Sequence, residues 1–232
     1  MRSTLFKACL LALVVFGSPA FNWTADAASV GLNGYTNDFS VVPAPADWSG
    51  VSVGSSSGTI STSAGLDAAV QALSASGVTS PLASDPLDPP GAGGTPQWSS
   101  TGFYVQTRPT GVDASFLMCT LINNIGGNAS GVTILYDFKT ALPVVEEVLG
   151  HRAFYSLTGA AGSWVNIPAF SSASDGRLTA TITLNWPNGG TLYLLWADDN
   201  GSGTPDTACQ IDNFSAKAIS AVGMPVAISS QP

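Results

Sequence analysis

Apolar positions in the second half of the chain fall into short runs of two kinds. Ser115 to Ile122 (SFLMCTLI), Val132 to Phe138 (VTILYDF) and Thr191 to Ala197 (TLYLLWA) are apolar at most positions. Such runs predict central strands buried on two faces. Leu178, Ala180, Ile182 and Leu184 instead alternate with Thr179, Thr181 and Thr183. That period predicts a half-buried strand with its threonines outward. Phe103 to Thr107, Ala153 to Leu157, Trp164 to Ile167 and Gln210 to Lys217 add further strand-like runs. Asn123 to Asn128 and Trp186 to Gly190 are turn chemistry, and Thr158 to Ser163 is a Gly-rich hairpin loop. Short strands joined in this way predict an all-β, antiparallel jelly-roll sandwich.

The N-terminal part is looser. Tyr35 to Val42 predicts a first strand. Leu66, Val70 and Leu73 share one helical face in Leu66 to Ser74, which predicts one short helix. Ser80 to Pro96 is rich in Pro and Gly and predicts an exposed loop.

The first residues change the picture of where the chain works. Arg2 and Lys7 precede the apolar run Leu10 to Phe16, and Ser18-Pro19-Ala20 and Ala25-Asp26-Ala27 both offer small residues for cleavage, the second followed by polar sequence. Residues 1–27 therefore predict a signal peptide, too short in its apolar part to span a bilayer. Residues 28–220 are expected to form the sandwich. Residues 221–232 are expected to be a linker, or the start of a truncated immunoglobulin-like domain, because Met224 to Pro232 (MPVAISSQP) resembles the opening phrase of such modules. A fragment, or the N-terminal part of a longer protein, is the expectation.

The chain has 232 residues and a net charge of −8. Loss of residues 1–27 removes Arg2, Lys7 and Asp26 and makes the remainder more acidic. Nucleic acid and anionic membranes are poor partners for such a chain. Only 9% of residues are charged, against about 25% in average usage. Ser, Thr, Asn and Gly replace them, as suits an extracellular β protein. Cys119 and Cys209 survive processing, and export makes a disulfide between them a candidate. Two buried free thiols are the alternative.

Candidate chemistry concentrates in one loop. Asp198-Asp199-Asn200-Gly201-Ser202-Gly203-Thr204-Pro205-Asp206 is rich in calcium-type oxygen ligands. Asp198-x-Asn200-x-Ser202 starts like an EF-hand, but position 12 carries no Glu. The loop predicts a structural calcium clip at Asp198, Asn200 and Asp206, with Asp212 or Asp38 as a further ligand. A turn in which the same side chains satisfy local backbone is the alternative.

Other constellations are weaker. His151 is the only histidine. With Glu146 and Glu147 nearby it could be a base or a ligand; a zinc site needs several His or Cys ligands, and although Cys119 and Cys209 could add to it, no pair has zinc-finger spacing. A histidine hydrogen-bonded at a strand entrance is the plainer expectation. Adjacent Glu146 and Glu147 would point to opposite faces of a strand. Gly54-Ser55-Ser56-Ser57-Gly58 matches the nucleophile-elbow pattern, which needs a buried strand before it and a helix after it, but it lies in a Ser- and Gly-rich run with weak flanks and predicts a flexible loop. Asn128, Asn200 and Asn213 begin N-glycosylation patterns. Trp196 lies in a continuous apolar run and is expected in the core. Trp98 and Trp186 flank turn residues, which makes them candidates to stack on a sugar.

Several phrases together carry a resemblance. They are Asp47-Trp48-Ser49, Gln106-Thr107-Arg108-Pro109, Glu146 to Arg152 (EEVLGHR), Tyr155 to Gly159 (YSLTG), Trp164 to Pro168 (WVNIP) and Ile211-Asp212-Asn213-Phe214. From about Tyr35 to Ala218 the chain resembles the N-terminal jelly-roll module, galactose-binding-like or laminin-G-like, of large secreted bacterial proteins with immunoglobulin-like repeats. The resemblance brings no catalytic residues with it. It implies an exported, non-catalytic module that binds an extracellular polysaccharide or a surface protein. A structural spacer without a small ligand is the second reading, and a hydrolase using His151 with Glu147 or Asp199 is a distant third.

Overall fold

A computed structural model describes residues 27–54, 60–144, 146–171, 174–201 and 205–221. Residues 1–26 of the expected signal peptide, most of the Gly54 to Gly58 run and the residues from 222 onward lie outside them. Among the described residues the thirteen strands are, in chain order, β1 (Ala28–Val30), β2 (Tyr35–Asn37), β3 (Trp48–Val53), β4 (Ala83–Asp85), β5 (Gly93–Ser99), β6 (Tyr104–Arg108), β7 (Ala114–Asn123), β8 (Ala129–Ala141), β9 (Arg152–Ser156), β10 (Val165–Asn166), β11 (Gly176–Trp186), β12 (Thr191–Asp198) and β13 (Ala208–Ser220). One helix, α1 (Ser63–Ala72), precedes β4.

The strands form a sandwich of two sheets. One sheet runs β1-β7-β12-β9-β10, with β3 also on β7. The other runs β11-β8-β13-β6-β5-β4, with β2 also on β13. Pairing is antiparallel except at β1 with β7 and β4 with β5. Among the described residues, no helix is long and apolar enough to cross a membrane.

Stacked aromatic rings fill the space between the sheets. Trp48 stacks on Trp196 with ring centroids 5.6 Å apart. Phe214 meets both edge-on, and Phe39 and Tyr136 close the sides. Trp196 donates its indole N–H to the Tyr136 hydroxyl at 3.1 Å. A second apolar layer explains why β7 and β12 are apolar on both faces. Leu66 and Val70 of α1, with Ile60, Val78, Val148 and Trp164, cover Phe116, Met118, Leu195 and Ala197 on the outer side of the first sheet. Thr62 caps α1, its hydroxyl accepting from Gly65 N. Thr179, Thr181 and Thr183 face outward as their alternation predicts.

Several expectations need correction. The strand expected over Tyr35 to Val42 stops at Asn37, whose Oδ1 accepts from Phe39 N and turns the chain. The loop expected over Ser80 to Pro96 contains β4 and most of β5. Trp98 is 8% exposed and Trp186 is fully buried. Their indole N–H groups donate to Phe39 O and Gly190 O, both at 2.8 Å. Neither ring is on the surface to stack on a sugar. Cys119 and Cys209 are buried free thiols, on β7 of one sheet and β13 of the other.

Candidate metal centre

Three segments meet at one end of the sandwich. The end of β12 brings Asp198 and continues to Asp199, Asn200 and Gly201. The approach to β13 brings Asp206 and Thr207. The connection from β8 to β9 brings Glu146 and Glu147. That connection is not a strand, so the two glutamates do not oppose each other across a sheet as expected. Glu146 turns in, and Thr207 N donates to its Oε1 at 2.5 Å.

Four carboxylates end up with one oxygen each that is not satisfied. Glu146 Oε2, Asp198 Oδ1, Asp199 Oδ1 and Asp206 Oδ2 are buried with no hydrogen-bond partner among the described residues. Ligand oxygens of Glu146, Asp198 and Asp199 lie within 4.8 Å of one another. The partner oxygens of Glu146, Asp198 and Asp199 are held. Asp198 Oδ2 accepts from Thr107 Oγ1 at 2.5 Å, and Asp199 Oδ2 from Gly201 N at 3.1 Å. Arg108 turns its guanidinium to the backbone oxygen of Asp206, at 3.4 Å, rather than to a carboxylate. Gly201 allows the crowding, since a Cβ there would sit 2.6 Å from Asp206 Oδ1 and 2.8 Å from Glu147 Oε2.

Unsatisfied buried carboxylates resist ionisation. Burial pushes Asp198 well above the usual carboxylate range, and the charges of Glu146, Asp199 and Asp206 push the same way while the Thr107 hydroxyl opposes them. Burial likewise raises Asp199 to about 6 and Asp206 to about 7, and lifts Glu146. Buried anions of one sign call for a counter-charge. An all-oxygen carboxylate set is the ligand set of a hard divalent cation.

Three expected ligands are placed otherwise. Asn200 spends its amide on structure: Oδ1 accepts from Ile60 N at 2.6 Å, and Nδ2 donates to Val112 O at 2.8 Å. Asp212 belongs elsewhere, paired with Asp137 across β13 and β8. Asp38 is exposed and binds Ser40. Glu146 is the ligand-type residue that the sequence reading left out of the calcium set, since it lies about 50 residues before Asp198.

His151 is 1% exposed. Its Nε2 lies 2.7 Å from Thr107 Oγ1, and burial pushes its pKa down to about 3. It stays neutral and out of reach of solvent.

Asp212 lines a second feature, a polar cleft of about 310 Å³ on the open face of the second sheet, with Asp88, Tyr104, Asp137, Lys139 and Gln210. Its wall, the chain from Asp85 to Gly91, is held tightly. Asp85 accepts from Leu87 N and Gly91 N, Ser99 donates to Leu87 O, and Thr101 donates to Pro86 O. Tyr104 donates to Asp88 Oδ1 at 2.6 Å. No protein-family description matches this chain, and no characterised protein matches it in sequence.

Proposed function

We propose that this chain is an exported, non-catalytic β-sandwich module that holds one calcium ion and binds an extracellular partner as part of a larger secreted or surface protein. The observation that carries the calcium assignment is the set of four unpartnered buried oxygens on Glu146, Asp198, Asp199 and Asp206. Calcium takes 6–8 oxygens at about 2.3–2.6 Å, so backbone carbonyls and water would complete its shell. The ion would tie the connection before β9 to both ends of the β12–β13 loop. The buried, neutral His151 argues against the hydrolase reading, which needs that imidazole at a surface.

Isothermal titration of metal-free protein at pH 8 is expected to show one calcium site per chain. Asp206→Asn should weaken it at least tenfold. A flat titration of the folded protein would remove calcium from this reading.

The partner-binding half rests on the polar cleft, now that Trp98 and Trp186 are core. Carboxylates, an amide, an ammonium and a phenol beside a rigid wall offer both donors and acceptors, which is what a polyhydroxylated ligand needs. Galactose, glucose and N-acetylglucosamine oligosaccharides are the probes. Gln210→Ala and Lys139→Ala are each expected to lower affinity for the retained sugar at least fivefold without moving the calcium isotherm. Retention of no sugar, or affinity indifferent to both substitutions, would favour the spacer reading.

A further inference from the structure

The calcium cluster has a second set of metal-type ligands behind it. His151, Asp198 and Cys209 each offer a ligand atom, and these lie within 4.8 Å of one another. All three residues are at most 1% exposed. Nitrogen, sulfur and carboxylate oxygen together form the ligand set of zinc or cobalt rather than of calcium. Asp198 is common to both sets, so a single side chain stands between a hard-cation site and a soft one.

Thr107 stands where the two sets divide. Its hydroxyl oxygen lies 2.7 Å from His151 Nε2 and 2.5 Å from Asp198 Oδ2. Thr107 is also the direct cross-strand neighbour of Cys209, on β6 and β13, so the two side chains share a face of the sheet. An ion bound to Nε2 and to Oδ2 would sit about 2.0–2.2 Å from each. The Thr107 oxygen already occupies the space between those two atoms. The other imidazole nitrogen, Nδ1, is buried without a hydrogen-bond partner among the described residues, so Nε2 is the nitrogen that Thr107 holds.

The same hydroxyl orients Asp198. It has one proton, which it donates to Oδ2 of the carboxylate, and its lone pair then accepts the Nε2–H of the neutral imidazole. Oδ2 is thereby fixed toward Thr107, and Oδ1 is left without a hydrogen-bond partner beside the carboxylates of Glu146 and Asp199. Partners that hold a ligand in this way commonly change metal affinity 10- to 100-fold when removed.

We propose that Thr107 is the specificity-determining residue of the cation site: it plugs the His151–Asp198–Cys209 pocket against soft metal ions and aims Asp198 at calcium. The aiming role rests on the calcium reading above, whereas the plug does not.

Cobalt(II) is the probe for the plug, because thiolate ligation gives a near-ultraviolet charge-transfer band. Wild-type protein is expected to show no such band. Thr107→Ala should gain it, and the double variant Thr107→Ala with Cys209→Ser should lose it again. Thr107→Val keeps the bulk without the hydroxyl, so it should remain dark to cobalt yet bind calcium at least tenfold more weakly. Thr107→Ser should keep calcium affinity near that of wild type. A Cys209-dependent band in wild type, or folded Thr107→Ala without a band, overturns the plug. Unchanged calcium affinity in Thr107→Val overturns the aiming role, and this arm stands even if Thr107→Ala does not fold. Wild type that binds no calcium overturns the calcium reading and the aiming role, and leaves the cobalt arm to decide the plug.

Discussion

Metal-free protein is expected to become more stable as the pH falls from 8 to 5, and calcium is expected to reverse that slope. In the folded state burial raises Asp199 to about 6 and Asp206 to about 7. In the unfolded chain both return to about 3.9. Between those limits these two groups bind more protons in the folded state; buried His151, held near 3, opposes them below about pH 6.5 but is one group against two, so stability falls as pH rises and levels off above about pH 8. Calcium binds the deprotonated carboxylates, so its contribution grows over the same window. At a hundred times its dissociation constant a ligand adds about 2.7 kcal/mol. For a domain of this size that is a rise in Tm of roughly 5–10 °C at pH 8, shrinking toward pH 5. Asp198→Asn removes the most deeply buried charge of the set. It should raise the Tm of metal-free protein at pH 8 and abolish the calcium response. Thermal melts in chelator and in calcium, across this pH range, check each part. A chelated protein that gains stability with rising pH would contradict the assignment of the cluster.

Trp196→Ala is expected to cost about 3–5 kcal/mol, the range for removing a buried large aromatic side chain. The ring stacks on Trp48 and meets Tyr136 and Phe214 edge-on, so its loss opens the middle of the sandwich. It also leaves the Tyr136 hydroxyl, buried between the sheets, without its indole donor. Against a typical total of 5–15 kcal/mol the variant should be marginally folded. Denaturant unfolding in saturating calcium measures it. A loss below about 1 kcal/mol would mean that the aromatic stack is not the centre of the core.

The strands with strong patterns were legible in the sequence, and the weak ones were not. β7, β8, β11 and β12 are long, and their apolar or alternating runs carry the signal directly. β1 and β4 have three residues each and are set by the neighbours they pair with rather than by a period of their own. Flanking turn residues made Trp98 and Trp186 look exposed. Their burial depends on backbone oxygens at Phe39 and Gly190, and for Trp98 that oxygen is 59 residues away. At the proposed cation site, local composition pointed to Asp198 and Asp206. It also pointed to Asn200, whose amide is committed to Ile60 and Val112 through contacts no local pattern encodes. Glu146 and Thr107 reach the site only through the tertiary fold, one from a connection and one from the opposite sheet.

A crystal structure of the protein grown in calcium, refined with anomalous data, tests the central claim most directly. The account predicts one ion about 2.3–2.6 Å from Glu146 Oε2, Asp198 Oδ1 and Asp199 Oδ1, with Asp206 beside it. Protonated carboxyl groups hydrogen-bonded to one another or to water, with no ion among them at saturating calcium, would contradict it.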